Sequence, residues 1–276
     1  MNDRPHWSYS SISQFLACPL RYYFQRVIGL PATTVSSGLV LGSAVHHALA
    51  EYHRGLQAGQ PVNRGCLHDA LVKGWEHREA EGTVIFKSGD SKDDSIALGA
   101  ALVDVYLQEP PPEKIVQVEQ AIIAPMHNSQ GEILETPLMA VADLITTVSD
   151  GLKVHEFKTS GRAYSETEAD TSLQPTCYVN AVQEIFGEST RVEYTVLVKT
   201  KTPKVQRLEA VRHEEDLGRL GDIVQTIERA VQARVFYPVA SPLNCSSCPY
   251  RQPCRKWGRT PRIPLKMVSS HEGEPC

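Results

Sequence analysis

The chain has 276 residues, 28 basic against 32 acidic side chains for a formal net charge of −4, and seven cysteines. That length buries one substantial core, or one domain with a helical elaboration, while the negative balance argues against a protein that coats nucleic acid through charge alone and still allows a local basic patch. No apolar run reaches the roughly 18 residues of a spanning helix, and residues 1–7 are followed by no apolar core of a secretion signal. The expectation is a cytoplasmic protein without a membrane partner, whose cysteines point to metal rather than to disulfides.

Read in order, the pattern gives helices, then strands, then helices. Ser11-Ile-Ser-Gln14 has the form of a capping box opening a helix that carries Phe15, Leu16 and Cys18. A second helix is expected over 41–54, with Val45, Leu49 and Tyr52 on one face, His46 at its edge and His47 pointing away. Two more over 66–81 and 95–108 lead to Pro110-Pro111-Pro112, which closes a mainly helical region, residues 8–112. Extended stretches follow at 115–124, 138–148 and 152–159. A helix over 172–186 tolerates Pro175 in its first turn, and strands over 192–199 and 205–211 complete a sheet-bearing region, residues 113–212. An amphipathic helix over 214–236, burying Leu217, Leu220, Val224, Ile227 and Val231, opens the closing region, residues 213–258. The tail 259–276 is poor in apolar residues and expected to be loose. Cys66 and Cys177 fall in helical patterns as small core residues, and Cys276 is a terminal thiol without a visible role.

The remaining four cysteines form a pattern. Cys245, Cys248 and Cys254 read C-x2-C-x5-C between Pro242, Pro249 and Pro253. Short loops of that kind aim thiolates at one point, and thiolates select zinc or iron–sulfur clusters. Cys18, in Cys-Pro-Leu-Arg-Tyr-Tyr-Phe near the start of the chain, is the expected fourth ligand, so the site would staple the two ends of the fold together. Spacing alone leaves zinc and cluster open.

The middle strands hold the other chemistry. Ser149-Asp150-Gly151 signals a turn, so 138–148 and 152–159 pair as a hairpin. With Asp150-Gly151 as the turn, Ser149 faces Leu152, Asp143 lies opposite Lys158, and Glu156 opposite Ile145. Asp143, Glu156 and Lys158 then share one face of a sheet. A carboxylate in the otherwise apolar Leu138-Met-Ala-Val-Ala-Asp-Leu-Ile145 costs stability unless paired or metal-bound. Glu119, on the preceding strand, is either a supporting carboxylate or an exposed one and stays outside this set.

Asp143 followed by Glu156-Phe157-Lys158-Thr159 resembles the D…(D/E)xK core of the PD-(D/E)XK nuclease superfamily, and more narrowly its RecB-type exonuclease branch. Gly42-Ser-Ala-Val-His46 resembles that branch's upstream helix, whose histidine is a metal ligand, and Gln174-Pro-Thr-Cys-Tyr178 its Q-x3-Y motif. The four cysteines resemble the [4Fe–4S] staple of CRISPR-associated adaptation nucleases and AddB-type nuclease domains. Ala142 departs from the proline that many members place before the aspartate, and Pro175 stands inside the Q-x3-Y element. The resemblance covers roughly residues 8–258. It implies an α/β fold with a restriction-endonuclease-like core, a central mixed β-sheet flanked by helices, with an N-terminal helical elaboration and a C-terminal cysteine cluster loop, as a single nuclease domain over residues 1–258.

The activity implied is metal-dependent hydrolysis of DNA phosphodiesters by an exonuclease, on single strands or frayed ends, in CRISPR adaptation, recombination and repair, or phage DNA processing. Asp143, Glu156, the Phe157 carbonyl and His46 would hold Mg²⁺ or Mn²⁺, the imidazole favouring Mn²⁺. Lys158 would orient the nucleophile and stabilise the transition state. Gln174 and Tyr178, at i and i+4 on one helix face, would contact DNA or Lys158. Cys18, Cys245, Cys248 and Cys254 would hold the cluster, with a helicase or integrase-type protein as partner. Two basic clusters suit phosphate: Lys199, Lys201 and Lys204, and Arg251, Arg255, Lys256, Arg259 and Arg262. Tyr22, Tyr23 and Phe24 would stack bases or pack beside the staple. Two other readings stand beside this one, a nuclease-fold subunit that binds DNA or a partner without cutting, and a zinc-stapled DNA-binding regulator.

Overall fold

A computed structural model describes residues 6–112 and 114–258; the tail 259–276, with Arg259, Arg262 and Cys276, lies outside them. The first helix, α1 (Tyr9–Ala17), starts two residues before the anticipated cap. Ser8 is its N-cap and Ser11 the reciprocal partner, so Ser11 closes the capping box rather than opening it, and Cys18 is the C-cap. Helix α2 (Pro19–Tyr22) continues as a π-helical turn, Tyr23–Val27.

Strand β1 (Thr34–Ser36) then feeds α3 (Ser37–Gln57), which exceeds its apolar signal at both ends, its N-terminus capped by Ser36. Helices α4 (Arg64–Glu79) and α5 (Lys92–Tyr106) pack on it around Trp75, Leu49 and Leu102, and β2 (Thr83–Ile85) pairs in parallel with β1. His47 meets α4 at Gly74 instead of pointing away. Cys66 is exposed on α4, whereas Cys177 is buried; position 66 lies in the first turn of α4, before its buried stripe begins at Leu67.

The main sheet has five strands in the order β3 (Ile115–Val118), β6 (Leu144–Val148), β7 (Gly151–Ser160), β8 (Thr190–Val198) and β9 (Lys204–Ala210). Only β7–β8 is parallel, joined through α6 (Glu166–Thr171) and α7 (Leu173–Phe186), so the sheet is mixed. Phe157, Leu144 and Leu197 face the α3–α5 layer, and Leu152, Val154 and Val192 face α7, which gives the expected α/β arrangement of a sheet flanked by helices. Helix α8 (Glu214–Gln232) ends a turn early and fully buries Leu220, Val224 and Ile227 against α1, with Leu217 and Val231 at the margin.

Two stretches read as single strands are each broken in two. The first splits at Glu119 into β3 and β4 (Ala121–Ala124), and the second at Ala142–Asp143 into β5 (Leu138–Val141) and β6. The outer halves pair as their own sheet. Glu119 adopts a left-handed φ of 47°, uncommon for a residue with a side chain, and its N–H donates to the Asp143 carbonyl at 3.2 Å. The two breaks therefore face each other.

The hairpin register also differs from expectation. Val148 pairs with Gly151 and Leu144 with His155, so the turn is Ser149-Asp150 and the ladder is displaced by two residues. Extended by one step, it puts Asp143 opposite Glu156 rather than Lys158. A shift of two keeps every side chain on its face, whereas a shift of one would have reversed them. Gly151 is needed as the first residue of β7, where a Cβ would collide with the Ser189 carbonyl.

Candidate active site

The strand break at Ala142–Asp143 frees the aspartate from the ladder, and α3 approaches β7 closely because Gly42 offers no side chain against Thr159. Asp143 thereby meets two partners. Its Oδ1 lies 3.0 Å from His46 Nδ1, and its Oδ2 accepts the Phe157 N–H at 2.7 Å. Burial alone would push the Asp143 carboxyl up, but His46, the Phe157 N–H and Lys158 bring it below the usual range. For His46, burial opposes protonation, yet the charge of Asp143, with help from Glu156, raises its pKa from 6.5 to about 9.

Glu156 sits beside this pair on β7, buried, at the centre of a hydrogen-bonded ring. Its Oε1 accepts from Lys158 Nζ and from Gln174 Nε2, each at 2.7 Å, and its Oε2 accepts from the Tyr178 hydroxyl at 2.5 Å. Gln174 closes the ring, taking a hydrogen bond from Lys158 at 2.8 Å on Oε1 and donating to the Tyr178 oxygen at 2.9 Å. Gln174 and Tyr178 share a face of α7, one turn apart. Pro175 stays within the first turn of that helix, which Ser172 caps. Burial and the nearby Asp143 raise the pKa of Glu156, and burial followed by Glu156 raises that of Tyr178. Lys158 is raised as well, Glu156 outweighing its desolvation.

Phe157 contributes its backbone, and its ring is held by aromatic neighbours. His53 stacks on it at 5.6 Å and 5°, and Tyr106 meets it edge-on at 5.3 Å while bonding His53 Nε2 at 3.0 Å. Burial lowers His53 to about 3, so it stays neutral.

Sequence reasoning left Glu119 outside the set. His46, Glu119 and Asp143 each present a ligand atom within 4.8 Å of the others, which makes them the candidate metal group among the described residues. Arg54 Nη2 donates to Glu119 at 3.2 Å, and burial with the charge of Asp143 raises the Glu119 pKa. A carboxylate within the expected strand 115–124 is a weaker form of the signal at Asp143, because Gln117 and Gln120 make that stretch less apolar. One imidazole and two carboxylates are donors that fit a divalent cation.

The four cysteines gather elsewhere, lining one pocket between α2, α9 (Pro242–Cys245) and α10 (Arg251–Lys256). The Val239 N–H donates to Cys18 Sγ at 3.4 Å. Burial pushes the Cys254 thiol up, and the other three cysteines add to the shift. Phe24 is buried here, Tyr22 is buried instead beside Trp7 and Phe15, and Tyr23 packs on Phe236 and Trp257, so the aromatics serve packing. Lys201 and Lys204 are exposed and Lys199 half-buried; Arg251, Arg255 and Lys256 are exposed on α10.

Residues 6–255 match the family model described as the PD-(D/E)XK nuclease superfamily. A crystal structure of a protein from Eubacterium rectale, provisionally described as an exonuclease, superposes with a TM-score of 0.58. It covers 98% of this chain and 94% of its own at 12% identity, a likeness of fold alone. The crystal structure of SSO0001 aligns over 87% of this chain and 93% of its own, also at 12% identity, but its TM-score of 0.34 bears no argument. No curated protein matches the chain. Among the described residues, no helix is long and apolar enough to cross a membrane.

Proposed function

The chain belongs to the PD-(D/E)XK nuclease superfamily, with its restriction-endonuclease-like core, and from that premise we propose that it is a divalent-metal-dependent DNA exonuclease of the RecB-type branch, acting on single-stranded or frayed ends. The observation that carries the reading is the convergence of His46, Glu119 and Asp143 beside a buried Glu156 bonded to Lys158. The provisional description of the Eubacterium rectale protein points the same way.

His46, Glu119, Asp143, Glu156 and the carbonyl of Phe157 would hold Mg²⁺ or Mn²⁺. When bound, the cation lowers the pKa of the attacking water and offsets charge at phosphorus. The chain's own residues do the rest. Asp143 is oriented by the Phe157 N–H, and Glu156 by Gln174 and Tyr178, so neither carboxylate has to reorganise as charge develops. Lys158 keeps its ammonium charged and anchored, with a third donor available to a phosphate oxygen. Burial of the ring around Glu156 keeps bulk water from competing for these bonds.

Cys18, Cys245, Cys248 and Cys254 fit a [4Fe–4S] staple. Support comes from the shared pocket and from a backbone N–H aimed at a sulfur.

The test is degradation of end-labelled single- and double-stranded DNA with Mn²⁺, Mg²⁺ or EDTA, by wild type, Asp143→Ala and Lys158→Ala. Metal-dependent loss of label that disappears in both variants is the expected result. Protein that binds DNA but cuts nothing with either metal would replace this reading by that of a non-cutting subunit.

A further inference from the structure

Lys158 is held from two sides, and only one belongs to the ring around Glu156. Its ammonium also lies over the face of Tyr194, 5.8 Å from the ring centroid. Tyr194 stands on β8 in register with Glu156 across the parallel pair. It is 2% exposed, packed among Ala169, Val196 and Val198, with Tyr164 tilted against it at 6.1 Å. A buried phenol needs a partner for its hydroxyl, and here the hydroxyl donates to Ser172 Oγ at 2.9 Å.

Ser172 is the N-cap of α7, and the same Oγ accepts the Gln174 N–H at 3.3 Å. Arg212 Nη2 fixes this residue from outside, donating to the Ser172 carbonyl at 2.8 Å. A circuit closes: Lys158 over Tyr194, Tyr194 to Ser172, Ser172 to the backbone of Gln174, and the Gln174 side chain back to Lys158 at 2.8 Å. Burial pushes the Tyr194 hydroxyl up to about 12, so it remains a donor at ordinary pH.

We propose that Tyr194 is a positioning residue for Lys158, its ring bearing the ammonium and its hydroxyl, through Ser172, tying that placement to the start of α7. Lys158 and Gln174 are thereby set as one unit. An aromatic face suits the task because it attracts an ammonium without supplying a second carboxylate, which would compete with phosphate for the charge. The inference rests on the nuclease reading above.

Steady-state cleavage of labelled single-stranded DNA with Mn²⁺ by wild type, Tyr194→Phe and Tyr194→Leu tests it, alongside Mn²⁺ affinity by calorimetry. Tyr194→Leu is expected to lower kcat by about tenfold, the loss of a desolvated cation–π contact, with KM and Mn²⁺ affinity within about twofold. Tyr194→Phe, which keeps the ring, is expected within about threefold of wild type. Equal losses in the two variants, or a loss confined to KM or to Mn²⁺ affinity, would overturn the proposal while leaving the nuclease standing. A wild type that cuts nothing overturns both. Should Tyr194→Leu fail to fold, Tyr194→Met, whose unbranched side chain adapts to an irregular gap, also removes the ring and carries the same expectation.

Discussion

The pairing of His46 with Asp143 makes stability depend on pH in a direction that can be worked out. His46 has a folded pKa of about 9 against 6.5 for the free side chain, so it binds its proton more tightly in the fold than in the unfolded chain. Below pH 6.5 both states are protonated and the stabilisation is fully present. Between pH 6.5 and 9 only the folded state keeps the proton, and the contribution is lost progressively. At about 1.4 kcal/mol per pKa unit the whole effect is about 3 kcal/mol. Urea unfolding of metal-free wild type and His46→Gln from pH 6 to 10 measures it, since subtracting the variant removes groups common to both. Wild type is expected to lose about 3 kcal/mol more than the variant across that window. Parallel curves would refute the reasoning. A companion titration follows: because a cation must displace this proton, Mn²⁺ affinity should rise by about tenfold per pH unit below pH 9, and the variant should lose that slope.

Four other outcomes are expected. Glu119→Gln should weaken Mn²⁺ binding by about tenfold with little change in stability, because its pair with Arg54 is open to solvent on the Arg54 side and only half-buried at Glu119; unchanged calorimetric affinity would remove Glu119 from the metal group. Gly221→Ala should cost about 1–3 kcal/mol by overpacking, since its Cβ would strike the His127 carbonyl. Gly38→Ala, open on all sides in α3, should instead stabilise by up to about 1 kcal/mol, and thermal melts of the pair test the contrast. Cys254→Ser should abolish absorbance near 400 nm in anaerobically prepared protein and lower Tm. A colourless wild type with stoichiometric zinc would contradict the cluster.

Apolar periodicity and proline placement were enough to find the long helices, because α3, α4, α5 and α8 each bury one face and that face repeats along the chain. Strand breaks are different. Glu119 and Asp143 look like polar interruptions of single strands, and their meaning appears only once the two interruptions lie side by side. Asp-Gly is a strong turn signal, but this glycine answers to the approach of Ser189, a neighbour distant in sequence, so the turn falls one residue earlier. The expected side chains Asp143, Glu156, Lys158, Gln174 and Tyr178 do come together geometrically. Their mutual bonds depend on how α7 docks against β7, which no local pattern encodes. Helix α6 leaves little trace in the sequence because six residues are too few to show a period, and only the Ser165–Glu168 box marks its start.

The cysteine pocket has a consequence for synthesis. Leu20 and Phe24 are covered by Tyr250, near the opposite end of the chain. At about 5–20 residues per second a ribosome needs roughly 10–50 seconds to travel that far. During that interval the nascent chain displays an apolar surface, next to the Cys18 thiol, that Tyr250 has yet to cover. Expression yield in a host short of chaperones or of iron–sulfur supply should therefore be limited at this junction, long before the catalytic residues are ever tested.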